Sequence, residues 1–91
     1  MRRAAKVDAN QQMLVEALRS MGASVYVIGE PVDLLIGYAG QTCAVEVKNP
    51  KSSRGKILTK QQIEFFNEFR GMAAKIETLE DCRLLLGRMA C

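Results

Sequence analysis

The chain predicts an α/β domain, a mixed central sheet flanked by helices in the order α-β-β-β-α-β-α. Three observations predict it. Apolar residues recur at helical spacing in three segments, β-branched or alternating runs fill the stretches between them, and Gly or Pro punctuates most junctions. With 91 residues there is room for one core only. We read residues 1–91 as a single domain, with residues 1–7 as a flexible basic tail.

The first helix is expected over residues 9–21, where Met13, Leu14, Ala17, Leu18 and Met21 share a stripe and Gly22 stops the helix. Asp8 or Asn10 caps its start. Residues 24–28, Ser-Val-Tyr-Val-Ile, read as a strand broken by Gly29-Glu30-Pro31. Residues 34–38 and 42–48 are two further strands joined through Ala39-Gly40. In the second, Cys43, Val45 and Val47 alternate with Thr42, Ala44, Glu46 and Lys48. A polar, turn-rich loop spans residues 49–55. A second helix over residues 60–70 carries Ile63, Phe65, Phe66 and Phe69, and Gly71 ends it. Residues 73–76 form a fourth strand, and Thr78-Leu79-Glu80-Asp81 opens a last helix reaching about Arg88.

The formal charge is +3, and its placement matters more than its size. Arg2, Arg3 and Lys6 crowd one end. Lys48, Lys51, Arg54, Lys56 and Lys60 fall in a stretch with no acid between Val47 and Ile63. Such runs suit phosphate contacts, although a solvated loop has the same composition. Cys43, Cys82 and Cys91 lack zinc-ligand spacing, His is absent, and an odd cysteine count argues against a disulfide framework. With no signal-peptide core and no apolar run near ~18 residues, the expectation is a reduced, cytoplasmic protein.

The chemistry emerges from strand pairing. If Ala39-Gly40 is a two-residue hairpin loop, Leu34 faces Val45, Ile36 faces Cys43 and Asp33 faces Glu46. The apolar pairs then share one face and the acidic pair the other. Two opposed carboxylates repel, and a divalent cation between them reverses the sign, since Mg²⁺ takes one or two carboxylates plus water and phosphate oxygens. Lys48 follows Glu46 by two residues and projects from the same face. Its ammonium is suited to positioning water or to stabilising charge on a phosphate.

Pro31-Val32-Asp33 followed by Glu46-Val47-Lys48, then Leu58-Thr59-Lys60-Gln61-Gln62, resembles the virus-type replication-repair nuclease (VRR-NUC) branch of the PD-(D/E)xK superfamily. The likeness runs from about Lys6 to Leu86. It implies a restriction-endonuclease-like core and a stand-alone phage-type nuclease that hydrolyses branched or structured DNA such as four-way junctions, leaving a 3′ hydroxyl and a 5′ phosphate. In a phage-encoded protein the site of action would be the cytosol of the bacterial host. By the same resemblance Asp33 and Glu46 bind Mg²⁺ or Mn²⁺, with the Val47 carbonyl as a further ligand. Lys48 is then the catalytic lysine, and Gln62 orients water or the scissile phosphate. Thr59 and Gln62 also match a capping box, which explains both residues without chemistry. Two features depart from the family pattern: Val32 separates the acid from the Pro, and the usual first-helix acid has three stand-ins here, Asp8, Asn10 or Glu16. Lys51, Arg54, Lys56 and Lys60 are the expected nucleic-acid contacts. A non-catalytic nucleic-acid-binding module of a phage replication or repair complex is the alternative.

Leu84, Leu85 and Leu86 in succession exceed what one face of a short helix hides. They predict, with Met89, a surface covered by a second copy in a homodimer.

Overall fold

The protein is described by a computed structural model over residues 9–49 and 58–91. Its elements run α1 (Ala9–Ser20), β1 (Ser24–Val27), β2 (Leu34–Tyr38), β3 (Gln41–Val47), α2 (Lys60–Glu68), β4 (Met72–Ile76) and α3 (Leu79–Ala90). The order is the one the sequence predicts. The four strands lie side by side as β1-β2-β3-β4. β1–β2 and β2–β3 are antiparallel, while β3–β4, linked through α2, is parallel, so the sheet is mixed.

α1 ends as its composition requires. Gly22 takes φ +103, the Ala23 N–H donates to the Leu18 carbonyl at 3.0 Å and the Gly22 N–H to Arg19 at 3.0 Å. That is the paired hydrogen bonding of a Schellman stop, which favours glycine at the left-handed position. The buried stripe of α1 is Leu14, Val15 and Leu18, with Met13 exposed. The helix is thus rolled slightly from the stripe its sequence predicts.

The β2–β3 hairpin turns at Ala39 and Gly40, with φ of 54° and 79°. Both central residues are left-handed, as a type I′ turn demands, and its twist matches that of the strands. The resulting register is Leu34↔Val45, Ile36↔Cys43 and Tyr38↔Gln41, as expected for a two-residue loop. It sends Cys43, Val45 and Val47 into one core with Leu14, Leu18, Val25, Ile36, Ile76, Cys82, Leu85 and Met89. α1 and α3 therefore close one face of the sheet. α2 lies on the other, where Glu46 and Lys75 meet Gln62 and Phe66.

α2 stops earlier than expected. Its last helical residue is Glu68, and Phe69 is already extended at ψ 126. Gly71 is not the helix stop; a Cβ there would lie 2.8 Å from the Phe69 ring, which folds back to stack on Phe65 at 4.7 Å.

The leucine run of α3 is also placed differently. Leu85, Leu86 and Met89 are at most 4% exposed within this one chain, and Leu84 alone, at 58%, faces solvent. The sheet above and α1 beside α3 together cover a wider arc than one contact face, so the run carries no argument for a second copy. At the open side of the sheet, Ile28 N–H bonds Asp33 O at 2.9 Å. By alternation Val25 then directs its carbonyl away from β2, where the Arg19 guanidinium donates to it at 2.8 Å. Among the described residues no helix is long and apolar enough to cross a membrane.

Candidate active site

The site grows from the end of the β2–β3 hairpin. One residue beyond the Leu34↔Val45 pair, Asp33 and Glu46 are bonded to each other's backbone environment. The Asp33 N–H donates to Glu46 Oε1 at 3.2 Å, and the Val47 N–H donates to Asp33 Oδ2 at 2.9 Å. The two carboxylates thus lie on the same side of the sheet, as the pairing argument requires. Asp33 is held from behind as well, since its carbonyl accepts from Ile28 N at 2.9 Å and Gly29 N at 3.2 Å.

Glu46 is 5% exposed, a charge taken almost wholly out of water. Burial, then the neighbouring Asp33 charge, raises its pKa above 4.5, while Lys48 and the Gln62 hydrogen bond act in the opposite direction. Lys48, itself 7% exposed, sets its ammonium 3.4 Å from Glu46 Oε2. Its backbone is tied down on two sides. Lys48 N–H donates to Ile76 O at 2.8 Å, and Asn10 Nδ2 donates to Lys48 O at 2.9 Å and to Glu77 O at 3.4 Å. The start of α1 therefore pins the ends of β3 and β4 together.

Gln62 both caps its helix and reaches the carboxylate pair. The Gln62 N–H donates to Thr59 Oγ1 at 3.1 Å and its Oε1 accepts the Thr59 N–H at 3.1 Å, completing a capping box. Its Nε2 donates to Glu46 Oε2 at 2.6 Å. Because the amide oxygen is occupied by the cap, Gln62 faces the carboxylates as a donor. The second N–H of that amide is a further donor it can offer a ligand.

Asp33, Glu46, Lys48 and Gln62 are thus brought together. Val47 joins them through its backbone, because a strand residue's N–H and C=O leave on the same side and its N–H points at Asp33. Among the first-helix candidates, Asn10 reaches the site's backbone, Glu16 is exposed on α1, and Asp8 lies outside the described residues. Lys51, Arg54 and Lys56 also lie outside them. Lys60 is exposed at the start of α2. Sequence reasoning did not single out Lys75, the register partner of Glu46 on β4. The one available hint was a lone cation in Ala73-Ala74-Lys75-Ile76, and only the parallel register gives it a place.

Among the described residues no three His, Cys, Asp or Glu side chains cluster, so a cation here would rest on two carboxylates and a carbonyl. That all-oxygen set is the kind hard cations such as Mg²⁺ and Mn²⁺ take, usually with several waters retained. Each carboxylate offers about four lone-pair sites, so accepting the hydrogen bonds above leaves capacity for a ligand. A positive ion would also offset the repulsion that raises Glu46. The residues fit. Cysteine chemistry does not compete for this role, since burial pushes the Cys43 and Cys82 thiols up to about 11.

No protein-family model matches the chain, and neither does any curated protein or solved structure.

Proposed function

We propose that the chain is a Mg²⁺- or Mn²⁺-dependent DNA endonuclease with a restriction-endonuclease-like core of the VRR-NUC type, acting on branched or structured DNA. One observation carries the reading: Asp33, the Glu46–Lys48 pair and Gln62, from three separate segments of the chain, meet in a single cluster of hydrogen bonds and an ion pair. A buried carboxylate beside a second acid is an unfavourable arrangement for stability alone, and a carboxylate perturbed as Glu46 is often marks a functional site.

In this scheme a bound divalent cation supplies Lewis-acid polarisation of the phosphate and an activated water. The chain's own residues do the positioning. Asp33 and Glu46 supply the ligand oxygens, fixed in place by the Val47 and Asp33 N–H groups. Gln62 holds Glu46 Oε2 from the α2 side. Lys48 presents an ammonium to charge that develops on the phosphate oxygens, in a place where burial strengthens its effect. Lys60, with Lys51, Arg54 and Lys56, contributes phosphate contacts. A two-fold homodimer, which would set two sites at a fixed separation across a junction, belongs to the same proposal. The exposed Tyr26 and Val27 of β1, with Ile28 just beyond it, are the surface such a pair would use, and sedimentation of the unmodified chain tests it.

The deciding experiment is a cleavage panel in Mg²⁺ and Mn²⁺ on single strands, duplex, flaps and four-way junctions. We expect nicking that chelation abolishes and that Lys48→Met lowers by about 10²-fold or more. DNA binding without cleavage in either metal would leave the non-catalytic binding module in its place.

A further inference from the structure

We propose that Lys75 is a second phosphate-contacting residue, which extends the nucleic-acid surface from the carboxylate pair onto strand β4. The inference rests on reading the Asp33–Glu46 face as the face that meets nucleic acid. It does not require that the chain cleave.

The parallel β3–β4 register pairs Lys75 with Glu46. Paired residues on neighbouring strands lie about 4.8 Å apart and project to the same face. Lys75 therefore stands on the site's own face, one strand nearer the edge, since β4 closes the sheet order on that side. Unlike Lys48, it is exposed.

The ammonium is not spent on the carboxylate beside it. The cation within ion-pair distance of Glu46 is Lys48, and among the described residues no ion pair holds Lys75. Its Nζ lies instead 5.5 Å from the centroid of the Phe66 ring. The distinction matters. A carboxylate partner would cancel the charge that a phosphate needs to find, whereas a ring face orients an ammonium and leaves its charge intact.

Helix α2 organises both contacts. Gln62 and Phe66 are four residues apart, so they share one face of the helix a turn from each other. Gln62 reaches Glu46 on β3 while Phe66 underlies Lys75 on β4. The helix that supplies a donor to the carboxylates thus also holds a charged, solvent-open side chain next to them. A backbone phosphate adjoining the one held at the carboxylates is the ligand this placement suits.

The test is DNA binding in EDTA, where cleavage cannot intrude, by anisotropy of labelled duplex and four-way junction between 50 and 200 mM salt. Lys75→Gln should weaken binding several-fold and reduce the log–log salt slope by about 0.9, the loss of one phosphate contact. Lys75→Arg should restore the slope, and Arg83→Gln, at an exposed position of α3, should leave it unchanged. A Lys75→Gln protein with wild-type affinity and slope would overturn the proposal. Unaltered binding by the unmodified chain with no cleavage in Mg²⁺ or Mn²⁺ removes the nuclease reading and leaves the slope to decide on Lys75. Absence of DNA binding by the unmodified chain in EDTA and in Mg²⁺ alike defeats both.

Discussion

Helices α2 and α3 begin alike and serve different ends. Each opens with a threonine cap and a polar side chain at the third helical position, and both hydrogen bonds of the capping box are present in each. In α3 that third residue is Asp81, whose Oδ2 accepts from Glu77 N at 2.7 Å and Thr78 N at 3.1 Å. A carboxylate has only acceptors, and here they are turned back on the backbone. In α2 the residue is Gln62, whose oxygen caps and whose amide nitrogen remains to reach Glu46. The same local motif therefore ends in the backbone at one helix and extends into the site at the other, because an amide carries a donor that a carboxylate lacks. Burial follows the division. α3 buries Cys82, Leu85, Leu86 and Met89, and α2 buries none of its side chains.

The largest effect should come from testing that difference in burial. Leu85→Glu puts a charge at a position 2% exposed, and loss of the apolar contacts plus burial of the carboxylate should cost about 4 kcal/mol or more, enough to unfold a small domain. Ile63→Glu on α2, 47% exposed, should change stability by about 0.5 kcal/mol at most. Urea titrations of the two proteins make the comparison. Equal losses would mean that α2 is as much part of the core as α3.

Exchanging the chemistry of the two caps gives the next effect. Gln62→Glu turns the α2 box into the α3 kind: the cap oxygen stays, the donor goes, and a third carboxylate faces Glu46 and Asp33. We expect cleavage to fall by about 10²-fold with little change in the denaturant midpoint. Asp81→Ala should do the reverse, costing about 1 kcal/mol of stability with unaltered turnover of the folded protein. Loss of activity in both, or in neither, would remove the functional distinction between the boxes.

A smaller and graded effect concerns pH. The Glu46 pKa is raised above 4.5, chiefly by burial and then by Asp33. In the metal-free protein this group contributes stability that is present below 4.5 and is lost as pH rises through its raised pKa, since the folded state holds the proton more tightly. Divalent-ion affinity should run the opposite way. Ligation needs the ionised carboxylate, so below that pKa affinity should fall up to about tenfold per pH unit, with a proton released on binding. Calorimetry with Mn²⁺ in two buffers of different ionisation enthalpy reads both quantities. Affinity that does not fall as the pH is lowered through the Glu46 titration, followed by NMR of its carboxyl carbon, would show that Glu46 is not a ligand.

Much of the architecture was legible without coordinates because its signals are local. The Gly22 stop, the capping boxes of Thr59 and Thr78 and the two-residue turn at Ala39-Gly40 are each decided within a few residues by backbone sterics and hydrogen bonding. The turn then propagates. Once its length is set, alternation places Asp33 and Glu46 on one side and Leu34 and Val45 on the other, so the acid pair is readable from sequence. Elements whose limits depend on packing were less legible. The end of α2 and the role of Gly71 turn on where the Phe69 ring lies, and the leucines of α3 turn on how wide an arc its neighbours cover.

By itself, then, the sequence determined the order of elements, the hairpin register and the candidacy of Asp33, Glu46, Lys48 and Gln62. The tertiary structure alone decided which atoms of those residues are engaged. Burial of Glu46 and Lys48, the donor orientation of Gln62, the clasp of Asn10 on the ends of β3 and β4, and the placement of Lys75 beside Glu46 all depend on contacts between segments distant in the chain. Hydrogen bonds and desolvation act over a few ångströms in space, whatever the separation in sequence, and parallel pairing of β3 with β4 has no turn to set its register.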